Sequence, residues 1–226
     1  MRAATSMTRF LRQPDFDRVA HIYRWAEYLT LGPLLQQTRA AHMAKLAACR
    51  HALLFGEGDG RFLARLLSRN PQVRATVVDL SEAMLQILRK RCGRALPTAA
   101  ARLRTFAGSA LEAEIPPSTD LVVTHFFLDC LTQSEVDRLV ADVAAAVQPR
   151  TLWLVSDFAV PDGPLRGPAR LYIRSLYFVF RLLTGLRVQS LPDPQAALTR
   201  SGFRLVERKC LLLGLLYSEL WVLRST

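Results

Sequence analysis

Short apolar runs alternate along the chain with longer stretches in which apolar residues recur at helical spacing. The short runs predict buried strands, and the periodic stretches predict amphipathic helices. Buried strands are expected at His51–Phe55, Val73–Asp79, Arg102–Ala107, Asp120–Phe127 and Leu152–Phe158. Strands that alternate with helices in this way predict an α/β fold, with a mostly parallel sheet and helices on both of its faces.

Helices are predicted in the gaps between these strands. They cover Gly60–Arg69, Ser81–Cys92, Thr132–Val147 and Asp193–Ser201. Two last strands, Phe203–Leu212 and Leu216–Leu223, predict an antiparallel hairpin that closes the sheet.

Two further helical regions lie outside the regular alternation. Residues 16–48 are largely helical in pattern, with a break at Gly32-Pro33, and predict a helical cap over residues 1–48. Residues 160–190 predict a helical lid inserted before the closing hairpin. With no repeat or low-complexity tract, residues 1–226 are expected to form a single domain.

A glycine-rich segment, Gly56-Glu57-Gly58-Asp59-Gly60, follows the first strand, and the second strand ends at Asp79. Strand, glycine loop, helix, strand and acid is the order found in the first half of a nucleotide-binding unit. Glycines let the backbone turn sharply and approach a ligand closely. A carboxylate at the tip of the second strand can accept both hydroxyls of a ribose. An ordinary turn is the alternative, and the spacing of Asp79 argues against it.

The spacing of the glycines does not fit a dinucleotide fingerprint, because Arg61 stands where its third small residue belongs. Glu57 and Asp59 would repel a pyrophosphate at the start of a helix. They would suit a ligand that carries an ammonium and a sulfonium. The segment resembles the first motif of the class I S-adenosylmethionine-dependent methyltransferases. The resemblance implies S-adenosylmethionine as cofactor, with the three glycines around its methionine part and Asp79 on its ribose.

The resemblance implies further cofactor contacts. Leu80 and Met84 follow the ribose acid as they do in the family, and Met84 is expected against the adenine. Ser109 and Ala110 stand where the family usually has an acid for the adenine amino group. Leu54 replaces an acid that many members carry in the first strand, and Glu57 is expected to compensate as an anchor for the methionine ammonium.

Polar residues follow the fourth strand, where ligands bind in open α/β sheets. His125 is predicted to contact the cofactor with Phe126 and to take a proton from the acceptor. Asp129 is a second catalytic candidate, and Tyr23 of the helical cap is a third, as a hydrogen-bond partner for the acceptor oxygen. The alternatives are structural: His125 bonding to nearby backbone and Asp129 capping the next helix.

Four arginines recur at helical spacing among apolar residues of the predicted lid, Leu165–Leu183. The arginines interrupt this stretch too often for it to span a bilayer. It suits the wall of an apolar pocket or an interfacial helix on an anionic membrane. A helix that packs on its own sheet is the alternative.

The order of the parts is similar to that of the quinone-type C-methyltransferases of ubiquinone and menaquinone biosynthesis. The match rests on Phe16–Tyr23, on Leu191–Phe203 and on the final pair of strands. It implies methyl transfer to an apolar small molecule that is aromatic, quinone-like or lipid-like.

The net charge of +11 leaves an RNA methyltransferase as the alternative. Nucleic acid is nevertheless not favoured, because the arginines are spread along the chain and the N/D-P-P-Y/F motif is absent. The departures at Leu54 and Ser109 leave a second alternative, a degenerate partner subunit that binds the cofactor without turnover.

Four scattered cysteines without a C-x-x-C pair predict neither a zinc site nor a disulfide framework. No metal is therefore expected. Residues 1–18 lack the apolar segment of a signal peptide. The expected location is the cytoplasm, with peripheral contact at the inner face of the membrane.

Overall fold

A seven-stranded sheet forms the centre of the protein, as described by a computed structural model over residues 31–184 and 192–225. The strand order is β3-β2-β1-β4-β5-β7-β6. The strands are β1 (His51–Phe55), β2 (Arg74–Asp79), β3 (Leu103–Ala107), β4 (Leu121–His125), β5 (Leu152–Phe158), β6 (Phe203–Leu211) and β7 (Leu216–Leu223). Strands β1 to β5 are parallel, whereas β7 runs antiparallel to both β5 and β6. The predicted sheet, including its closing hairpin, is confirmed.

Helices cover both faces of the sheet, as predicted. They are α1 (Gly32–Ala40), α2 (Arg61–Arg69), α3 (Glu82–Ala95), α4 (Gln133–Ala146), α5 (Arg166–Thr184) and α6 (Pro194–Arg200). Pro33 lies in the first turn of α1, where its missing N–H costs no helical hydrogen bond. Of the predicted cap, residues 1–30 with Tyr23 lie outside the described residues.

Two apolar layers form because neighbouring residues of a strand point to opposite faces of the sheet. Leu54 and Val123 pack on one face against α2 and α3. Leu53, Val122 and Trp153 pack on the other face against α4 and α6. Burial on both faces explains why these strands are almost continuously apolar.

Side-chain caps fix two helix starts. Ser81 Oγ accepts a hydrogen bond from the Met84 amide at 3.2 Å, and Thr132 forms a capping box with Glu135. These side chains satisfy amides that the first turn of a helix leaves without a partner. They set where α3 and α4 begin, just after the ends of β2 and β4.

The fourth strand is shorter than predicted. It ends at His125 instead of Phe127, because Phe126 adopts a left-handed backbone conformation with φ of 53°. A bulky residue rarely takes this conformation, and such strain is concentrated at functional sites. The chain therefore turns sharply at the edge of the sheet where the parallel strands end.

No helix within residues 31–184 and 192–225 is both long enough and apolar enough to cross a membrane. This applies to α5, which forms where the sequence predicts the lid.

Candidate cofactor and acceptor site

The glycine loop between β1 and α2 is tight at both ends and open in the middle. All three glycines have positive φ, at 61°, 68° and 78°. A Cβ on Gly56 would lie 2.4 Å from Phe127 Cδ2, and one on Gly60 would lie 2.7 Å from Leu88 Cγ. A Cβ on Gly58 would lie 3.7 Å from its nearest neighbour, Met84 Cε, which is an ordinary contact distance. The loop thus leaves room for a ligand at Gly58, beside Met84.

Both acids of the loop turn into the protein. Glu57 Oε1 accepts a hydrogen bond from the Leu63 amide at 3.0 Å. Asp59 pairs with Arg61 at 2.9 Å and with Arg91 at 3.0 Å. Glu57 therefore binds the start of α2, where unpaired N–H groups attract a carboxylate. The expectation that Glu57 takes the place of the missing acid at Leu54 stays a prediction.

Glu57 is held in an unusual protonation state. Burial raises its pKa to about 7, while the hydrogen bond from Leu63 acts in the opposite direction. Its second oxygen, Oε2, has no hydrogen-bond partner among the described residues. A buried oxygen of this kind is costly unless a ligand or water completes its bonding.

The other predicted cofactor residues lie along the same edge of the sheet. Asp79 is half-buried at the end of β2, and its Oδ1 accepts from the Ser81 amide at 2.9 Å. Leu80, the next residue, is exposed. The Gly108 amide donates to the Asp79 carbonyl at 2.9 Å, which brings Ser109 and Ala110 to this edge. Ser109 Oγ accepts from the Leu111 amide at 3.2 Å and keeps capacity for a second bond.

His125 points into the apolar layer under α2. Its side chain is 3% exposed and meets the Phe62 ring edge-on, with centroids 4.5 Å apart. Neither ring nitrogen has a hydrogen-bond partner among the described residues. Burial, and secondly the positive charge of Arg39, lower its pKa well below 6.5. The role of His125 as base stays a prediction.

The two phenylalanines after His125 have different surroundings. Phe126 is buried beside Phe158 at 5.2 Å, with the Arg39 guanidinium 5.2 Å from its ring centroid. Phe127 is half-buried, stacks on Phe55 at 6.2 Å and lies against Gly56. Phe127 is therefore the ring next to the glycine loop, whereas the sequence analysis assigned the cofactor contact to Phe126.

A pair of carboxyl groups lies where β4 and β5 end: Asp129 follows β4, and Asp157 is near the end of β5. We call them the acid pair. Asp157 is 3% exposed and forms hydrogen bonds with both the side chain and the backbone of Asp129. Its Oδ1 also accepts from the Phe158 amide at 2.8 Å. Burial, and secondly the charge of Asp129, raise the pKa of Asp157 well above its usual value. Two such groups in contact hold a shared proton more firmly than either would alone.

Asp129 is among the catalytic candidates predicted from the sequence, whereas Asp157 is not. An acid near the end of an apolar strand belongs to no motif, and only the parallel pairing of β4 with β5 brings it to Asp129. The signal available was a lone carboxylate in the otherwise apolar run Leu152–Phe158. Tyr217 of β7 is paired opposite Asp157, and burial with the charge of Asp157 raises its pKa well above 10.

A family comparison agrees with this arrangement. Residues 53–152 match the family model described as a methyltransferase domain, from β1 to the start of β5. This part of the chain is similar to a methyltransferase domain, in agreement with the resemblance of the glycine loop to the class I S-adenosylmethionine-dependent methyltransferases. The ubiquinone C-methyltransferase type is not specifically supported by the comparisons. No curated protein sequence matches the chain.

Solved structures share the fold. An O-methyltransferase family protein from Burkholderia thailandensis is 19% identical, with a TM-score of 0.70 over 92% of this chain. A family 2 O-methyltransferase from Planctomyces limnophilus, solved with apigenin, is 20% identical, with a TM-score of 0.67 over 90%. The present chain spans only 60% and 61% of those two proteins. The N-methyltransferase NodS from Bradyrhizobium japonicum, solved with S-adenosylhomocysteine, is 14% identical, with a TM-score of 0.61; 84% of this chain and 88% of NodS are covered.

The residues of this edge fit S-adenosylmethionine, the cofactor that the resemblance implies. Gly58 and Met84 leave an open cradle, and Asp79, the predicted ribose ligand, ends β2 at the same edge of the sheet. Buried polar atoms of Glu57 and His125 without a partner among the described residues lie near the end where the methionine part is expected. Within residues 31–184 and 192–225, no group of three or more His, Cys, Asp or Glu side chains could hold a metal ion.

Proposed function

We propose that the protein transfers the methyl group of S-adenosylmethionine to a hydroxyl group of an apolar small molecule. The acid pair carries this proposal. Asp129 follows β4, the neighbour of β1, and Asp157 lies at the end of β5, the neighbour of β4, on the edge of the sheet that bears the glycine loop. In open α/β sheets this edge holds the ligands.

Cys130 interacts electrostatically both with the acid pair and with Asp79 at the cofactor end of the site. Cys130 Sγ donates to Asp129 Oδ1 at 3.5 Å. Burial raises the pKa of this thiol, and the negative charges of Asp129, Asp157 and Asp79 add to the effect. Asp79, the predicted ribose ligand, is thus close enough to act on a neighbour of the acid pair.

An oxygen acceptor needs a group that takes its proton. S-adenosylmethionine, when bound, supplies an electrophilic methyl group on a sulfonium. The acceptor oxygen forms the new bond to carbon as the carbon–sulfur bond breaks, and the hydroxyl proton passes to the deprotonated acid pair. A positioned base of this kind contributes about 10²- to 10⁴-fold to the rate. Alignment and exclusion of water supply the remainder.

The surroundings favour an apolar acceptor. A third hydrophobic cluster lies at this edge under α1, built on Leu35, Phe126 and Leu216, with Phe158 packed against it. O-methyltransferases are also among the similar structures, one of them solved with the aromatic compound apigenin. An aromatic, quinone-like or lipid-like alcohol or phenol agrees with both observations.

The charge of the chain gives little support to the RNA alternative. Several arginines are already engaged within the protein: Arg61 and Arg91 bind Asp59, and Arg208 pairs with Glu219. Arg102 donates to the carbonyls of Leu67, Asn70 and Val73 near the end of α2. These side chains hold the fold together instead of facing a phosphate backbone.

The test is turnover of purified protein with S-adenosylmethionine, measured as S-adenosylhomocysteine formed. Acceptors are a panel of apolar phenols and hydroxyquinones, matched amines, and total RNA. Asp157→Asn is expected to lower kcat by at least about a hundredfold with unchanged cofactor affinity. Asp142→Asn, an exposed acid of α4, is the matched control. Because the base must be deprotonated, wild-type kcat/KM should rise with pH through the raised pKa of Asp157, and Asp157→Asn should flatten that rise.

Three outcomes contradict the proposal. Turnover on RNA but on no small molecule supports the RNA methyltransferase. Binding of the cofactor without turnover on any acceptor supports the degenerate partner subunit. Turnover of the amines alone, with Asp157→Asn fully active, removes the acid pair from the chemistry.

A further inference from the structure

Two exposed leucines form the turn between β6 and β7, and we call Leu212 and Leu213 the leucine tip. Leu213 is 78% exposed and Leu212 is 39% exposed. Both have left-handed backbone conformations, with φ of 54° and 49°. Leucine adopts this conformation rarely because its Cβ crowds the following carbonyl. Glycine or asparagine would fit the turn better, so the turn geometry does not explain why leucine stands there.

The leucine tip lies at the mouth of the site. Strand β7 begins at Leu216, which pairs with Phe158 at the end of β5, and the Ala159 amide donates to the Leu215 carbonyl at 2.9 Å. The tip is therefore at the edge where the parallel strands end, which also carries the acid pair. A Cβ on Gly214 would lie 3.3 Å from Pro161 Cβ, so the tip contacts the segment that leads into α5.

Positive charge and further apolar surface follow directly along this segment. Leu171 is 71% exposed, and Arg174 lies one helical turn further on the same side of α5. Arg166 and Arg170 are also exposed, and Asp162 is the acid of this stretch. Three exposed arginines against one exposed carboxylate give this segment a net positive charge, in a chain whose net charge is +11.

We propose that the leucine tip and the arginines at the start of α5 dock the mouth of the site on an anionic lipid surface. A narrow protruding tip can enter a fluid layer of lipid, whereas a protein partner needs a broader complementary face. The arginines then bind the anionic headgroups beside the inserted leucines. The acceptor pocket would open towards the layer in which an apolar substrate dissolves. The purpose of docking rests on the proposed apolar acceptor, but the docking itself does not.

The experiment is flotation of the protein with vesicles of phosphatidylcholine containing phosphatidylglycerol, and with vesicles of phosphatidylcholine alone. Binding is expected only to the anionic vesicles, and it should fade as salt shortens the range of charge attraction. Leu213→Asn should weaken binding by at least about tenfold, the free energy of burying one leucine expressed as an affinity ratio. Asparagine tolerates the left-handed conformation, so this variant should remain folded.

Two variants complete the test. Val206→Asn removes an exposed apolar side chain from the bulge of β6, far along the hairpin from the tip, and should leave binding unchanged. Replacing Arg166, Arg170 and Arg174 by glutamine should weaken binding by about fivefold for each arginine.

Equal binding of wild type and Leu213→Asn would overturn the docking role of the tip, as would equal binding to both kinds of vesicle. If wild type self-associates in sedimentation without lipid and Leu213→Asn does not, the tip is instead a contact between copies of the chain. Cofactor binding, measured by calorimetry, should be the same in all these variants. Failure of docking therefore leaves the proposed methyl transfer standing, and loss of turnover leaves docking standing.

Discussion

The two sides of the site are built in different ways. The cofactor side comes from one continuous stretch, in which β1, the glycine loop, α2, β2 and the Ser109 turn follow each other within residues 51–110. The proposed acceptor side is assembled from Asp129, Asp157 and Tyr217, which belong to separate elements. A local motif can be recognised from spacing alone, whereas a constellation of distant residues exists only once the sheet has formed.

The polar groups of the two sides also face different ways. On the cofactor side, the acids Glu57 and Asp59 turn inwards and secure the loop and α2. On the proposed acceptor side, Asp129 and Asp157 are held against each other. The loop acids stabilise the fold, whereas the acid pair is the part of the site that we propose for chemistry.

The largest expected effect tests the rigidity of the cofactor side. Gly60→Ala places a Cβ 2.7 Å from Leu88 Cγ and 3.1 Å from the Leu88 backbone, at a φ of 78°. Overpacking and left-handed strain together predict a loss of about 3–5 kcal/mol in the free energy of unfolding, measured by urea denaturation. Gly93→Ala in α3 meets nothing within 4 Å. This control should gain about 0.5–1 kcal/mol, and equal effects of the two variants would contradict the prediction.

The elements of the cofactor side agree with the sequence because each of them is local. Strand, glycine loop, helix and strand follow in the predicted order, and all three glycines of the loop have positive φ. The direction of the Glu57 side chain did not follow, because it depends on how α2 packs over the loop. The burial of His125 did not follow either, since it depends on which face of β4 receives Phe62.

The second prediction uses pH to separate structural from catalytic charge. The pKa of Glu57 is about 7 in the folded protein, against an ordinary value of 4.5. Between these values the folded state holds a proton that the unfolded chain has released, so the free energy of unfolding falls as pH rises. Glu57→Gln keeps an acceptor for the Leu63 amide and removes this titration. Its stability relative to wild type should grow by up to about 3 kcal/mol from pH 4.5 to pH 7.

Denaturation curves of the two proteins across this range provide the measurement. Ionisable groups that both proteins share contribute equally to the two unfolding free energies, so their contributions cancel in the difference. Gly93→Ala, which changes no ionisable group, serves as the control and should give a flat difference. A flat difference for Glu57→Gln as well would mean that the carboxyl is not desolvated beneath the loop.

The third prediction concerns the ribose acid. Asp79→Asn keeps an oxygen for the Ser81 amide but loses the charge that strengthens hydrogen bonds to ribose hydroxyls. Affinity for S-adenosylmethionine should fall by about 10- to 100-fold in titration calorimetry. Asp142→Asn should bind like wild type. Binding of NAD in place of S-adenosylmethionine by the wild-type protein would refute the assignment of the cofactor.

The smallest effect on turnover is expected for substitution of His125, in contrast with substitution of the acid pair. His125→Phe keeps a flat ring for the edge-on contact with Phe62 and removes two buried nitrogens that have no partner among the described residues. Replacing unpaired buried polar atoms by apolar ones of similar shape is nearly neutral or stabilising. Turnover should therefore stay within about tenfold of wild type, against the loss of at least about a hundredfold for Asp157→Asn. A collapse of turnover in His125→Phe with cofactor affinity intact would instead restore His125 as the base. A loss of cofactor affinity with little change in kcat would place its nitrogens against the methionine end of the cofactor.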